Sequence, residues 1–193
     1  MVSFTASYFI ISQSAESHQL KKQLPYFVAF FVVPVLVVMW WWGLFSGANV
    51  GVEQSTDYTY AYLEAQGPYS KLSSKQAEVQ FELKKQGLES GAAITLVMSD
   101  PRNTSYKELM ARTGFIIDQR DQVLPPLQVA KLPKQKVLVA SVKAHPLFAY
   151  GKTYSAILDY CKAHDMKLKL PTVEIVEHSV LRVEMPLESD STL

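Results

Sequence analysis

The chain has 193 residues, 48% of hydrophobic types, with 19 Lys/Arg against 18 Asp/Glu and a net charge of +1. A nucleic-acid binder needs a surplus of basic side chains to displace counterions from phosphates, so no nucleic-acid partner is expected. The single cysteine, Cys161, excludes an internal disulfide.

Residues 1–23 are mostly polar and read as an N-terminal tail. Residues 24–45, LPYFVAFFVVPVLVVMWWWGLF, carry no charge, and between Gln23 and Val52 only Tyr26 is ionisable. As a helix rising about 1.5 Å per residue this run spans roughly 33 Å, against a hydrocarbon core of about 30 Å. One transmembrane helix is predicted over 24–45, with Trp40, Trp41 and Trp42 at headgroup level. A cleaved signal sequence fits less well, because the usual apolar core of one is only about 7–15 residues. Lys21 and Lys22 precede the run, whereas Glu53, Asp57 and Glu64 follow it with no cation before Lys71. The positive-inside rule then puts the N-terminus in the cytoplasm and the remainder outside it, in a single-pass membrane protein with the lipid bilayer as a partner. Residues 46–55, containing Gly47 and Gly51, read as a flexible linker.

Residues 56–188 read as one domain, followed by a short C-terminal tail, 189–193. Beyond the apolar run, seventeen Lys/Arg balance seventeen Asp/Glu. Asp57 to Glu64 alternates Tyr58, Tyr60 and Tyr62 with Thr59, Ala61 and Leu63, which predicts a strand with one aromatic and one small apolar face. Gln66-Gly67-Pro68 is a turn. Ser73 with Gln76 three residues on predicts a capping box opening a helix, which Gly87 or Gly91 ends. Strands are expected over Ala92 to Met98 and Thr113 to Asp118, with a turn at Asp100-Pro101 between them.

After Pro125-Pro126 the order repeats. A strand is expected over Lys136 to Lys143, and then a turn at Ala144-His145-Pro146. Tyr154, Ile157, Leu158 and Cys161 mark the apolar stripe of a helix, and Thr172 to Glu177 with Val180 to Met185 form a hairpin. The expected fold class is α+β. Duplicated strand–helix–strand–strand units form a two-halved antiparallel sheet domain with a cleft, preceded by one transmembrane helix.

Several short motifs in this order resemble the GyrI-like domain family, also known as the AraC-type effector-binding domain. They are Gly67-Pro68-Tyr69, Ser99-Asp100-Pro101 before a hydrophobic strand, Pro171-Thr172-Val173-Glu174-Ile175-Val176, and the closing strand Leu181 to Leu187. Together they cover about 130 residues. The resemblance implies a domain that binds small hydrophobic or cationic molecules between its halves, in a cleft lined by aromatic residues and buried carboxylates. Three positions depart from the pattern. Val176 replaces a usual Tyr, Arg182 a usual Glu, and Glu184 a usual Tyr.

The candidate ligand-binding residues are Tyr58, Tyr60, Tyr62, Met98, Glu174, Arg182 and Glu184. Thr59, Ala61 and Leu63 suit packing under the first helix, which turns the three tyrosines to the opposite face. Strand parity then suggests that Val173 and Ile175 face the core while Glu174 shares the tyrosines' side of the sheet. A carboxylate beside aromatic rings attracts a cation by charge and by the ring quadrupole. An exposed carboxylate, ordinary cross-strand tyrosine packing and an Arg182–Glu184 surface ion pair are the plainer readings of the same residues. His18, His145, His164 and His178 are scattered without metal-ligand spacing, so no metal is expected. No G-x-S-x-G, phosphate loop or H-E-x-x-H occurs, so no cofactor and no catalytic residue is assigned. The leading expectation is a membrane-anchored domain binding a small molecule or a protein partner in its cleft. The alternatives are a hydrolase of small hydrophobic compounds using Glu174 as base, and a tethered adaptor whose cleft is filled.

Overall fold

The computed structural model describes residues 25–187. The chain divides into two compact units at Phe45/Ser46. In the first unit, residues 25–41 form helix α1 and 42–45 a turn. Gly43, at φ 82°, ends the helix. Its N–H donates to Trp40 O and that of Leu44 to Met39 O, the paired bonds of a glycine-terminated helix. The helical stretch thus stops short of the predicted Phe45, and Leu24 lies outside the described residues. Among the described residues no helix is long and apolar enough to cross a membrane. Seventeen helical residues rise only about 26 Å. The tails 1–23 and 189–193 also lie outside the described residues.

The second unit holds eight strands and two helices. In chain order they are β1 (Asn49–Gln54), β2 (Tyr58–Gln66), α2 (Leu72–Lys85), β3 (Ala93–Val97), β4 (Met110–Ile116), β5 (Gln128–Leu132), β6 (Lys136–Lys143), α3 (Pro146–Ala163), β7 (Thr172–Glu177) and β8 (Val180–Pro186). They form one antiparallel sheet in the order β1-β6-β8-β7-β3-β4-β2-β5. The expected duplication is visible as two β-α-β-β units. β2, β4 and β3 make one half, β6, β8 and β7 the other, and β3 joins β7 at the centre.

The expected linker, 46–55, instead contains β1. This strand pairs with β6 of the other half, Gly51 opposite Val139. Likewise β5, which precedes the second unit, pairs with β2 of the first. Each unit therefore contributes an edge strand to its counterpart. The connectors meet where Ser55 N–H donates to Gln135 O and Gln135 N–H to Ser55 Oγ.

The sheet is curled. In a flat sheet β2 and β8, four strand spacings apart, would be separated by roughly 19 Å. Yet the Tyr58 hydroxyl donates to Glu184 Oε1 at 2.9 Å. A close approach on β4 fits the same curvature, since a Cβ on Gly114 would lie 1.8 Å from Ala61 O. Inside the curl Tyr60, Tyr62, Ile94, Leu96, Val173 and Ile175 pack together. On the outside, α2 buries Val79 and Leu83 against Ala61 and Phe115. Helix α3 buries Ile157 and Cys161 against Leu138, Val183 and Met185. Both faces of the sheet thus bury apolar side chains.

Helix α2 begins one residue before the predicted Ser73 and has no side-chain cap; it grows out of a 3-10 turn at Tyr69–Lys71. Gln76 closes no capping box. Its amide donates to Thr113 Oγ1 at 3.3 Å. Gly87, at φ 73°, follows the helix end as expected.

Candidate functional site

Helix α2 packs on β2 and β4, and α3 on β6, β8 and β1. Neither covers the two central strands, so β3 and β7 form the floor of a cleft of about 610 Å³. That volume lies within the range of about 300–1,000 Å³ typical of small-molecule sites. Thr95, Val97, Thr172 and Glu174 rise from the floor; Tyr69, Leu72 and Gln76 form one wall, and Tyr150, Tyr154 and Leu158 the other. The α3 wall follows from helical spacing. Ala149, Thr153, Ile157 and Cys161 are buried, and Tyr150, Tyr154 and Leu158, each one residue further on, face the cleft.

Glu174 sits at the centre, opposite Thr95 in the β3–β7 register. Its side chain is almost wholly enclosed, at 8% exposure. The Tyr154 hydroxyl donates to Glu174 Oε1 at 2.6 Å and lies 3.0 Å from Thr172 Oγ1. Because the phenol has one proton, Thr172 serves as donor to it. Thr95 Oγ1 lies 2.9 Å from Thr113 Oγ1, which extends the polar line across the floor to Gln76.

Glu174, Asp100 and Arg102 are the charged residues that line the cleft. Arg102 is bound to Asp100 at the rim, Nη2 to Oδ2 at 2.7 Å. Among the described residues, therefore, no cation pairs with Glu174. Burial pushes its carboxyl up to about 7, and the Tyr154 hydrogen bond offsets only part of the effect. Tyr150 is pushed up to about 12 by burial and then by the Glu174 charge, and Tyr154 is raised by the same two causes in that order. A carboxylate held this way can take up a proton or a cationic ligand, since hydroxyl neighbours can donate or accept.

The other sequence candidates lie elsewhere. Tyr60 and Tyr62 are buried inside the curl with Val173 and Ile175. Glu174, alternating with those two residues, faces the opposite side of the sheet from the tyrosines. Strand parity fails here because Val173 and Ile175 pack against the tyrosines, whereas the expected core lay under the helices. Arg182 and Glu184 also point into the curl, opposite Ile175 and Val173. Arg182 Nε donates to Glu184 Oε1 at 2.7 Å and Nη2 to Glu53 Oε2 at 2.9 Å. Tyr58 completes this network from β2. Met98 follows β3 and is exposed; it is not among the cleft residues. No cluster among the described residues could hold a metal ion.

Sequence patterning missed Tyr69, Tyr150 and Tyr154 as cleft residues. The available signal was the Tyr150/Tyr154 pair at i, i+4 beside the core stripe.

Comparison with known proteins bears on the fold and the family. The C-terminal domain of EcmrR is similar in fold, with a TM-score of 0.59 at 11% identity over 74% of this chain and 98% of that one. An integron cassette protein from the mobile metagenome of Vibrio cholerae gives 0.56 at 8% identity, over 75% and 99% of the two chains. SAV2435, solved bound to tetraphenylphosphonium, gives 0.50 at 11% identity over 73% and 94%. No curated protein matches the sequence. The family model described as the GyrI-like small molecule binding domain matches residues 48–180. The chain belongs to the GyrI-like small-molecule-binding family.

Proposed function

We propose that the cleft binds a hydrophobic organic cation, with Glu174 as its counter-charge. The observation that carries this reading is a nearly enclosed carboxylate on the floor of an aromatic-walled cleft, with a hydroxyl neighbour and no cation among the described residues. Transfer of an unpaired charge from water into such a space is costly. A ligand that brings the opposite charge relieves that cost, and Tyr69, Tyr150 and Tyr154 offer ring faces to it. The binding of tetraphenylphosphonium by a structural neighbour supports the choice of chemistry. The cleft is open, which favours a ligand site over an adaptor with a filled cleft. In calorimetric titrations at about pH 8, tetraphenylphosphonium should bind the full chain, and Glu174→Gln should weaken it by about tenfold or more, as expected for a charge-assisted contact. Equal affinity in the two proteins would overturn the assignment.

We propose further that the run 24–45 attaches the chain to a bilayer, with the N-terminus cytoplasmic. The support is its lack of ionisable side chains other than Tyr26 and the exposed apolar residues of α1, among them Phe30 and Trp41. The expressed chain should sediment with membranes and resist carbonate extraction. Recovery in the soluble fraction would contradict the anchor.

A further inference from the structure

The Asp100-Pro101 turn forms part of the cleft rim, so Asp100 is a second carboxylate lining the same space as Glu174. Its charge is already taken. The backbone N–H and the Nε of Arg102 donate to Asp100 Oδ1 at 2.9 and 3.0 Å, and Nη2 donates to Oδ2 at 2.7 Å. Asn103 Nδ2 adds a bond to Oδ2 at 3.3 Å. The Arg102 hydrogen bonds hold the Asp100 carboxyl below its ordinary range. Tyr69 lines the cleft together with both acids. Its hydroxyl donates to Ser99 O at 2.6 Å, and its pKa is raised by burial first and then by the charges of both Glu174 and Asp100. Both carboxylates line one volume, and of the two it is Glu174 that has no ion-pair partner among the described residues.

Building on the reading of the cleft as an organic-cation site, we propose that Arg102 determines specificity: by occupying Asp100 it restricts the cleft to ligands carrying one positive charge. A second cationic centre entering an apolar-walled space loses its water and requires its own counter-charge. Asp100 is the acid placed to supply one, and the guanidinium fork satisfies both of its oxygens. Arg102 keeps 54% of its side chain in solvent while Asp100 keeps 14%, so replacing Arg102 removes the guard without hollowing a core.

The test is calorimetric titration of the full chain with methyltriphenylphosphonium and with bis(triphenylphosphonium) alkanes of short, medium and long spacers. The wild type should bind the bis salts whose spacers hold both phosphonium centres within the cleft about tenfold or more weakly than the mono salt. Arg102→Gln should raise the bis-to-mono affinity ratio about tenfold at one spacer length, and adding Asp100→Asn should return it to the wild-type value. Arg102→Lys, which keeps the charge but loses the fork, should give an intermediate ratio. Equal binding of the mono salt and those bis salts by the wild type, or a ratio indifferent to Arg102, overturns the inference. If Glu174→Gln abolishes mono-salt binding while the ratio ignores Arg102, the cation site stands and only the guard falls. Failure of the wild type to bind the mono salt removes both.

Discussion

Glu174 and Glu184 are two buried carboxylates on adjacent strands of one sheet, and their neighbours give them opposite roles. Glu184 stands opposite Val173, the residue before Glu174. The two side chains therefore point to opposite faces. Inside the curl, Glu184 is 2% exposed and accepts from Arg182 and Tyr58. In the cleft, Glu174 is 8% exposed and, among the described residues, accepts from Tyr154 alone. Burial is common to both, and the guanidinium makes the difference. With it, the carboxylate ties β8 to β2 and, through Arg182, to Glu53 on β1. Without it, the carboxylate is left with the Tyr154 hydroxyl and a raised affinity for a proton.

The largest expected effect breaks the paired carboxylate. Arg182→Met should leave Glu184 buried without a counter-charge and destabilise the fold by about 3 kcal/mol, the low end for a broken buried pair because Arg182 is partly exposed. Denaturant unfolding measures it, and a loss below about 1 kcal/mol would make the network a mere surface decoration.

Glu174 should show the opposite sign. Its carboxyl moves from 4.5 up to about 7 on folding, so the folded state holds the proton more tightly than the unfolded state. That contribution is most favourable below about pH 4.5 and is lost as pH rises to about 7, a difference of roughly 3 kcal/mol. Glu174→Gln lacks the decline. At about pH 8 the variant should match or exceed the wild type in stability, with the gap closing as pH falls towards about 4.5. A variant much less stable than the wild type at about pH 8 would place Glu174 with Glu184 as a structural partner.

These two carboxylates also mark where the sequence could be read and where it could not. The β6 boundaries, the β7–β8 hairpin and the helix stop at Gly87 follow from alternation and turn chemistry. The helix-facing side of β2 was legible as well, since Ala61 does pack under α2. What failed was the assumption that one face of the sheet is core. Curling buries both faces, so Val173 and Ile175 join the tyrosines inside, and Glu174 emerges on the helix side. Parity within a strand is local, but which face a strand shares with another depends on register and curvature. The exchange of edge strands was hidden for a similar reason. Gly47 just before β1 and Gly51 within it give this stretch the composition of a linker, and only the pairing of β1 with β6 makes it a strand.

The smallest effect concerns the hydroxyl that supports the unpaired acid. Tyr154→Phe removes the donor to Glu174 Oε1, so its carboxyl should rise further. Tetraphenylphosphonium affinity at about pH 7 should then fall by about 1 kcal/mol, with the stability of the free protein changing less than in Arg182→Met. An unchanged affinity would show that the hydroxyl does not tune the carboxylate.

The most direct test of the central claim is the affinity of the full chain for tetraphenylphosphonium as a function of pH, wild type against Glu174→Gln, at constant ionic strength. A cation and a proton compete for the same oxygens, so wild-type affinity should rise about tenfold per pH unit below about pH 7 and level off above it. The variant should bind weakly and without that slope. Parallel curves for the two proteins would contradict the account, because the cation would then be held by something other than Glu174.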